Sequence, residues 1–354
     1  MFISPNIPIR NLETFDRSIR HPNLWIWDAW TCSHNDQLHM YCLALAKRNA
    51  GRAIAPSARN QYQFHIRHFT SATDSTDWMD AGAFLLPPES SERNIWSGSI
   101  LPFGSGALVA YTDIRWPKPD TPFVQSICVG WSNSFDGYSG QPASVLSHPV
   151  RDHAQILDLG YFLADIDDIG SVNGEDGGPI LAWRDPFLFE DEGKLHAIWC
   201  AKIAPSVPAI AHAEIVQNTD GGYEAYLQAP IELPDAQNFT QAELPKIWRD
   251  ECSGEWLLMV SACDRKHEHQ PDSEVKKELR LYRSANVRGP WRAWSEHGSR
   301  LQTPPYAFGA SPYFSKEDTS NPRFVVPLTE QAPSSDLLTM QSDVELDLRE
   351  ILDA

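Results

Sequence analysis

The chain has 354 residues, 42% hydrophobic and 21% charged, which is the balance of a folded globular protein. Its 47 acidic residues outnumber 29 basic ones and leave a net charge of −18, a surface that repels nucleic acid and anionic membrane. No apolar run reaches the roughly 18 residues needed to span a bilayer, so neither nucleic acid nor membrane is an expected partner, whereas a neutral sugar is indifferent to the charge.

The start, "MFISPNIPIRNLETFDRSIR", has no basic segment followed by an apolar one. A cytoplasmic location is therefore expected, or export without a recognisable signal peptide. From residue 24 onward a plan begins that recurs five times: an aromatic-rich lead-in, a polar turn, then a second strand. The first unit is "LWIWDAWTCSHNDQLHMYCLAL" and the second "NIWSGSILPFGSGALVAYTDI". The third is "AWRDPFLFEDEGKLHAIWCAK", the fourth "QAELPKIWRDECSGEWLLMVSAC" and the fifth "AFGASPYFSKEDTSNPRFVVPL". Their lead-ins fall near residues 28, 97, 185, 243 and 311.

Each turn ("HND", "FGSG", "EDEG", "CSGE", "DTSNP") is a Gly, Asn, Asp or Ser cluster between apolar runs, which is hairpin chemistry. Third and fourth strands follow, with a shared strand, Ser-Ala, loop, Trp, Gly pattern at 64–82 and 279–298. Helical periodicity is scarce; "SEVKKELRLY", which runs into a strand, and the C-terminal "QSDVELDLREIL" are the best helix candidates. Five units of about four strands describe an all-β, five-bladed β-propeller, which buries strand edges by radial repetition. The absence of a linker-like stretch between units makes residues 1–354 one expected catalytic domain.

In a propeller the first strand of every blade lines the central channel, so the lead-ins converge. They bring Asp28, Ser97, Arg184, Asp185 and Glu243 to one mouth, among several Trp. Carboxylates beside apolar groups resist ionisation, and a neighbouring arginine relieves that cost for one of them. Proton affinities so separated suit glycoside cleavage, in which one carboxyl protonates the leaving oxygen and another attacks or stabilises the anomeric carbon.

Other features carry less. "DIDDIGSVNGEDGG" (165–178) is oxygen-rich but lacks EF-hand spacing and reads as a solvated loop. "SHNDQLH" and "KHEHQ" lack metal-ligand spacing, and no GxSxG elbow is present. The six cysteines form no CxxC pair and are expected to be structural, reduced thiols. Neither metal nor organic cofactor is expected.

"WDAW" (27–30), "WSGS" (96–99), "WRDPFLFED" (183–191) and "AELPK" (242–246) resemble, in that order, the motifs of glycoside hydrolase family 68, the levansucrases and related β-fructofuranosidases. Family 32 invertases share FSGS- and RDP-like motifs but begin with an Asn-Asp-Pro type. The resemblance covers about residues 20–330 and implies a retaining reaction on sucrose or a related β-fructofuranoside, with fructose passed to water or a sugar. It implies Asp28 as nucleophile, Glu243 as general acid and then base, and Asp185 as transition-state stabiliser. Trp27, Trp96, Ser97 and Arg184 would bind sugar or orient the nucleophile, and Arg265 and Tyr306 would contact substrate. Gln241 stands two positions before the acid, where many levansucrases have a carboxylate, and the chain lacks a long segment between the RDP and E-x-P motifs. The missing segment bears on which substrate length is preferred, and Gln241 makes long-chain levan synthesis less expected than sucrose cleavage. An arabinofuranosidase-like furanosidase and a non-catalytic sugar-binding propeller are the alternatives.

Overall fold

The computed structural model describes residues 13–15, 18–72, 77–90, 92–115, 123–140, 143–170, 179–267, 270–303, 307–314, 322–328 and 339–344. Five antiparallel sheets form a five-bladed β-propeller. Blade I comprises Leu24–His34, Gln37–Ala46, His65–Ala72 and Met79–Leu85. Blade II comprises Arg93–Phe103, Gly106–Arg115, Gln125–Ser132 and Ser144–Ser147. Blade III comprises Phe187–Asp191, Lys194–Ala204, Val207–Gln217 and Tyr223–Leu227. Blade IV comprises Gln241–Arg249, Trp256–Cys263, Lys277–Ser284 and Arg292–Ala293.

Blade V is assembled from both ends of the chain. Ser311–Tyr313, Arg323–Leu328 and Thr339–Val344 pair in order, and the N-terminal strands Ser18–Arg20 and Glu13–Phe15 complete the sheet. The closure is a hydrogen-bonded one, with Ser18 opposite Gln341 and Ile19 opposite Met340. A ring shut in this way leaves no blade free to peel from its neighbour.

The hairpins follow the turn chemistry. Asn35 and Asp36 both take positive φ (49° and 64°), as do Glu192 and Gly193 (51° and 76°), the backbone of a tight two-residue loop. The DTSNP turn lies almost wholly outside the described residues.

The near-continuous apolar runs of the second strands have a physical reason: both faces of each blade are buried against another blade. Alternate residues of Gln37–Ala46 go to opposite seams. Tyr41, Leu43 and Leu45 join Ile95, Ile100 and Val109 between blades I and II, while Met40, Cys42 and Ala44 join Ile19, Val325 and Met340 between blades I and V. The remaining seams, II–III, III–IV and IV–V, are filled around Trp183 and Trp199, around Ile198 and Val260, and around Met259 and Phe324.

One helix expectation is corrected, and a second is corrected over residues 341–344, its remainder (345–352) lying outside the described residues. Within "SEVKKELRLY" only a 3-10 turn at Asp272–Glu274 precedes the strand Lys277–Ser284. The described part of "QSDVELDLREIL" belongs to the strand Thr339–Val344, because its backbone is claimed by pairing with Arg323–Leu328 on one side and Ser18–Arg20 on the other. A short helix at His153–Asp158, which buries Ile156 in the II–III seam, was not foreseen. No helix among the described residues is long and apolar enough to cross a membrane.

Candidate active site

Three carboxylates meet at the channel, and the backbone that carries them is strained. Asp28 has φ 49° at a bulge, where the register of Leu24–His34 against Gln37–Ala46 slips between Trp27 and Ala29. Asp185 has φ 61° in the segment just before Phe187. The register slips again between Glu243 and Lys246, leaving Leu244 at φ 52°. Left-handed conformations at non-glycine residues cost energy and persist only where the surroundings over-determine them. At the two bulges and at Asp185 those surroundings are fixed polar partners.

Ser97 Oγ donates to Asp28 Oδ2 at 2.5 Å. The Asp185 N–H donates to Thr112 Oγ1 at 2.9 Å, and Thr112 Oγ1 donates to the Ser97 carbonyl at 3.2 Å. Asp185 Oδ2 accepts from the Leu244 N–H at 3.1 Å and from the Cys200 thiol at 3.3 Å. Glu243 Oε1 accepts from the Cys263 thiol at 3.3 Å, and its Oε2 lies 3.5 Å from Arg184 Nη2. Both thiols stand on second strands behind the carboxylates, and all six cysteines are free. Gly98 of the WSGS motif is required by space, because a Cβ there would lie 1.9 Å from the Ala110 carbonyl oxygen.

Electrostatics separate the groups. Burial raises Asp28, opposed by the Ser97 hydrogen bond; Glu243 raises it further, and Arg59 and Lys246 pull it down. Burial also pushes Asp185 up to about 7, opposed by the Arg184 charge and reinforced by Glu243 and Asp28. Burial and the neighbouring carboxylates thus both oppose ionisation of Asp28 and of Asp185.

The other expected residues are placed as follows. Trp27 is buried edge-on to Phe64 at 4.8 Å between ring centroids, with the Arg59 guanidinium 5.7 Å from its ring. Trp96 lies beneath the Arg184 guanidinium at 5.2 Å, and its buried indole N–H has no partner among the described residues. Gln241 is fully buried; its amide Nε2 donates to the Arg265 carbonyl at 3.3 Å, and its Oε1 has no partner among the described residues. Arg265 Nη1 donates to the Gln270 carbonyl at 2.7 Å. Tyr306, and residues 171–178 of the oxygen-rich loop, lie outside the described residues. Among the described residues no group of His, Cys, Asp and Glu could hold a metal ion.

Sequence reasoning missed Lys246, although it quoted the motif that contains it. The side chain is buried at 2% exposure, with Nζ 3.5 Å from the Leu244 carbonyl and 5.6 Å from the Phe187 ring. It also missed Thr112 and Gly309. The Gly309 N–H donates to Ser261 Oγ at 2.7 Å, and at φ +79° a Cβ there would meet Leu244 Cδ1 at 2.6 Å. The signal available for Lys246 was a lysine inside an apolar strand, a place where an unpaired lysine is rarely found.

Fold and channel thus define a five-bladed propeller with an acidic cluster on its axis. No family model matches the chain, and no curated protein matches it. Among solved structures its fold is that of the levansucrases and the GH32 β-fructofuranosidases. It is similar to Bacillus subtilis levansucrase at 14% identity and TM-score 0.57, over 89% of this chain and 82% of that one. A Bombyx mori GH32 β-fructofuranosidase gives 11% and 0.60, over 91% of this chain and 60% of that one. A sucrose-6-phosphate hydrolase from Lactobacillus gasseri gives 12% and 0.61, over 92% and 60%.

Proposed function

We propose that the chain is a retaining β-fructofuranosidase or fructosyltransferase that cleaves sucrose or a related β-fructofuranoside. The observation that carries this reading is the convergence of Asp28, Asp185 and Glu243, from three blades, on one channel with Arg184 and Ser97 among them. The names of the structural neighbours agree with it.

In this reading Asp28 attacks the fructosyl C2, and the bond to the glucosyl oxygen breaks as Glu243 gives that oxygen its proton. A covalent fructosyl ester results, with charge spread over the ring oxygen at the transition state. The Ser97 hydroxyl holds the attacking oxygen's partner, so the nucleophile is oriented before the substrate arrives. Asp185, gripped by the Leu244 N–H, binds fructosyl hydroxyls without bonding to carbon. Glu243 then takes the proton of a water or sugar hydroxyl that opens the ester. Arg184, bridging Glu243 and the Trp96 face, fixes the acid and completes the sugar platform. The chemistry needs no metal or organic cofactor. With Gln241 in place of a carboxylate, sucrose cleavage and short transfer are favoured over polymer synthesis.

The test is purified protein with sucrose, following glucose, fructose and oligosaccharides separately. Equimolar glucose and fructose indicate hydrolysis, and glucose in excess indicates transfer. No glucose from sucrose or raffinose sinks the reading, and turnover of an arabinofuranoside alone replaces it with the furanosidase alternative.

A further inference from the structure

We propose that Lys246 is a positioning residue whose buried ammonium anchors the Leu244 bulge against Asp185 and supplies the counter-charge for Asp185 and Asp28. This rests on the glycoside-cleaving reading above, since it assigns Lys246 to the same carboxylates.

The geometry comes first. Leu244 is held from both ends: its N–H donates to Asp185 Oδ2 at 3.1 Å, and its carbonyl faces Lys246 Nζ at 3.5 Å. Pro245, next in the chain, offers no N–H of its own, so the bulge has few backbone bonds to hold it. Leu244 is left-handed and packs against Gly309, where an added Cβ would lie 2.6 Å from Leu244 Cδ1. A small relaxation of this peptide would withdraw the N–H from Asp185. The Lys246 ammonium, drawn toward the Leu244 carbonyl, opposes it.

Charge gives the second argument. In a chain of net charge −18, a lysine at 2% exposure is retained against a large desolvation cost. The groups whose charge acts on it are Asp185 and Cys200 of blade III and Asp28 of blade I, none of them within ion-pair distance. Around these stand Arg184 and Glu243 beside Asp185, and Ser97, Arg59 and Glu243 beside Asp28. Burial lowers Lys246 to about 8 while the two aspartates pull it back up, so it is charged wherever they are ionised below that pH. A merely space-filling lysine would be replaceable by methionine at little cost in pH behaviour.

The experiment compares Lys246→Met, Lys246→Gln and Lys246→Arg with the wild type. For each, kcat/KM for sucrose is measured across about pH 4 to 9, together with the thermal midpoint at the same pH values. The Met and Gln variants are expected to lose at least about tenfold in kcat/KM, with the acid limb displaced upward by about one pH unit or more, because an opposite charge has been withdrawn from the nucleophile's side. Lys246→Arg restores most of the limb. Acid limbs that superimpose on wild type overturn the inference and leave the function standing.

If the wild type cleaves no fructofuranoside, the functional reading falls separately and the midpoints decide. The gap between wild type and Lys246→Met then widens as pH rises from about 4 to 8, where the carboxylates charge without their counter-ion; parallel curves overturn the inference. If Lys246→Met does not fold, the Lys246→Met/Asp185→Asn double variant regains folding, and its failure to do so also overturns the inference.

Discussion

Ser97 and Asp28 are joined by a 2.5 Å hydrogen bond that crosses from blade II to blade I. It is one link of a belt around the channel. Asp185 reaches back to blade II through Thr112, Leu244 of blade IV reaches Asp185, Gly309 reaches Ser261 of blade IV, and Thr31 of blade I bonds Ser311 and the Pro312 carbonyl. Every blade is thereby tied to the next at the level of the carboxylates. The left-handed residues Asp28 and Asp185 are held by the same bonds that tie neighbouring blades together, so site geometry and blade packing are one problem.

Ser97→Ala removes the bond that favours ionised Asp28. Burial already raises that carboxyl, and Ser97 is the largest opposing influence. The acid limb of kcat/KM should move to higher pH, with a loss of about 10- to 100-fold near pH 5 that shrinks toward pH 8. A uniform loss across the pH range would show that Ser97 orients without tuning.

Asp28→Asn, Asp185→Asn and Glu243→Gln should each lose about 10²-fold or more of turnover while keeping the wild-type circular dichroism spectrum. The amides are near-isosteric, and Asn tolerates the left-handed backbone at 28 and 185. Any of the three retaining more than about a tenth of wild-type rate contradicts the role given to that position.

The blades and the carboxylates were legible because both are written as repeats: turn clusters between apolar runs, and an acidic or seryl lead-in at matching places. Ring closure was not. Ser18–Arg20 is three residues long, and nothing in "SIR" announces a partner at Gln341 and Met340. The C-terminal periodicity suggested a helix, but over residues 341–344 long-range pairing claims the backbone, a case of tertiary context overriding propensity. Lys246, Thr112 and Gly309 escaped notice because their roles come from backbone conformation at bulges, and a bulge leaves no periodic mark.

A second polar knot, away from the channel, should govern stability alone. Asp80 on the outer strand of blade I accepts from Arg67 Nε at 2.7 Å and Nη2 at 2.6 Å, from the Gly82 N–H at 3.1 Å, and pairs with His21 Nε2 at 3.1 Å. Burial pushes its carboxyl up, but the bonds from His21 and Arg67 and the Arg67 charge bring it down to about 2. A depressed carboxyl contributes stability above its unfolded value, lost as pH falls from about 4 to about 2. Asp80→Asn should therefore cost about 3–5 kcal/mol near neutrality, by taking the carboxylate from the buried Arg67 guanidinium, and progressively less toward pH 2. Denaturant unfolding at pH 7 and pH 2.5 measures the difference; an equal cost at both pH values would refute the linkage.

Asp185 presents the opposite sign, and its consequence runs against intuition for a buried charged residue. Its carboxyl is raised from 3.8 to about 7, first by burial, so the folded state holds the proton more tightly than the unfolded chain does. Below about pH 4 both states are protonated and the group is silent. Between about 4 and 7 the unfolded chain releases its proton and the folded one does not, so stability declines as pH rises, and the decline is complete above about 7. Asp185→Asn carries no such burden, keeps an acceptor for the Leu244 N–H, and fits the φ of 61°. Its thermal midpoint should match wild type near pH 4 and exceed it by about 3–8 °C at pH 8, with turnover abolished. Calorimetry at the two pH values distinguishes the cases: a variant less stable than wild type at pH 8 would mean that Arg184 and Lys246 outweigh burial, and that Asp185 is held ionised by the cations around it.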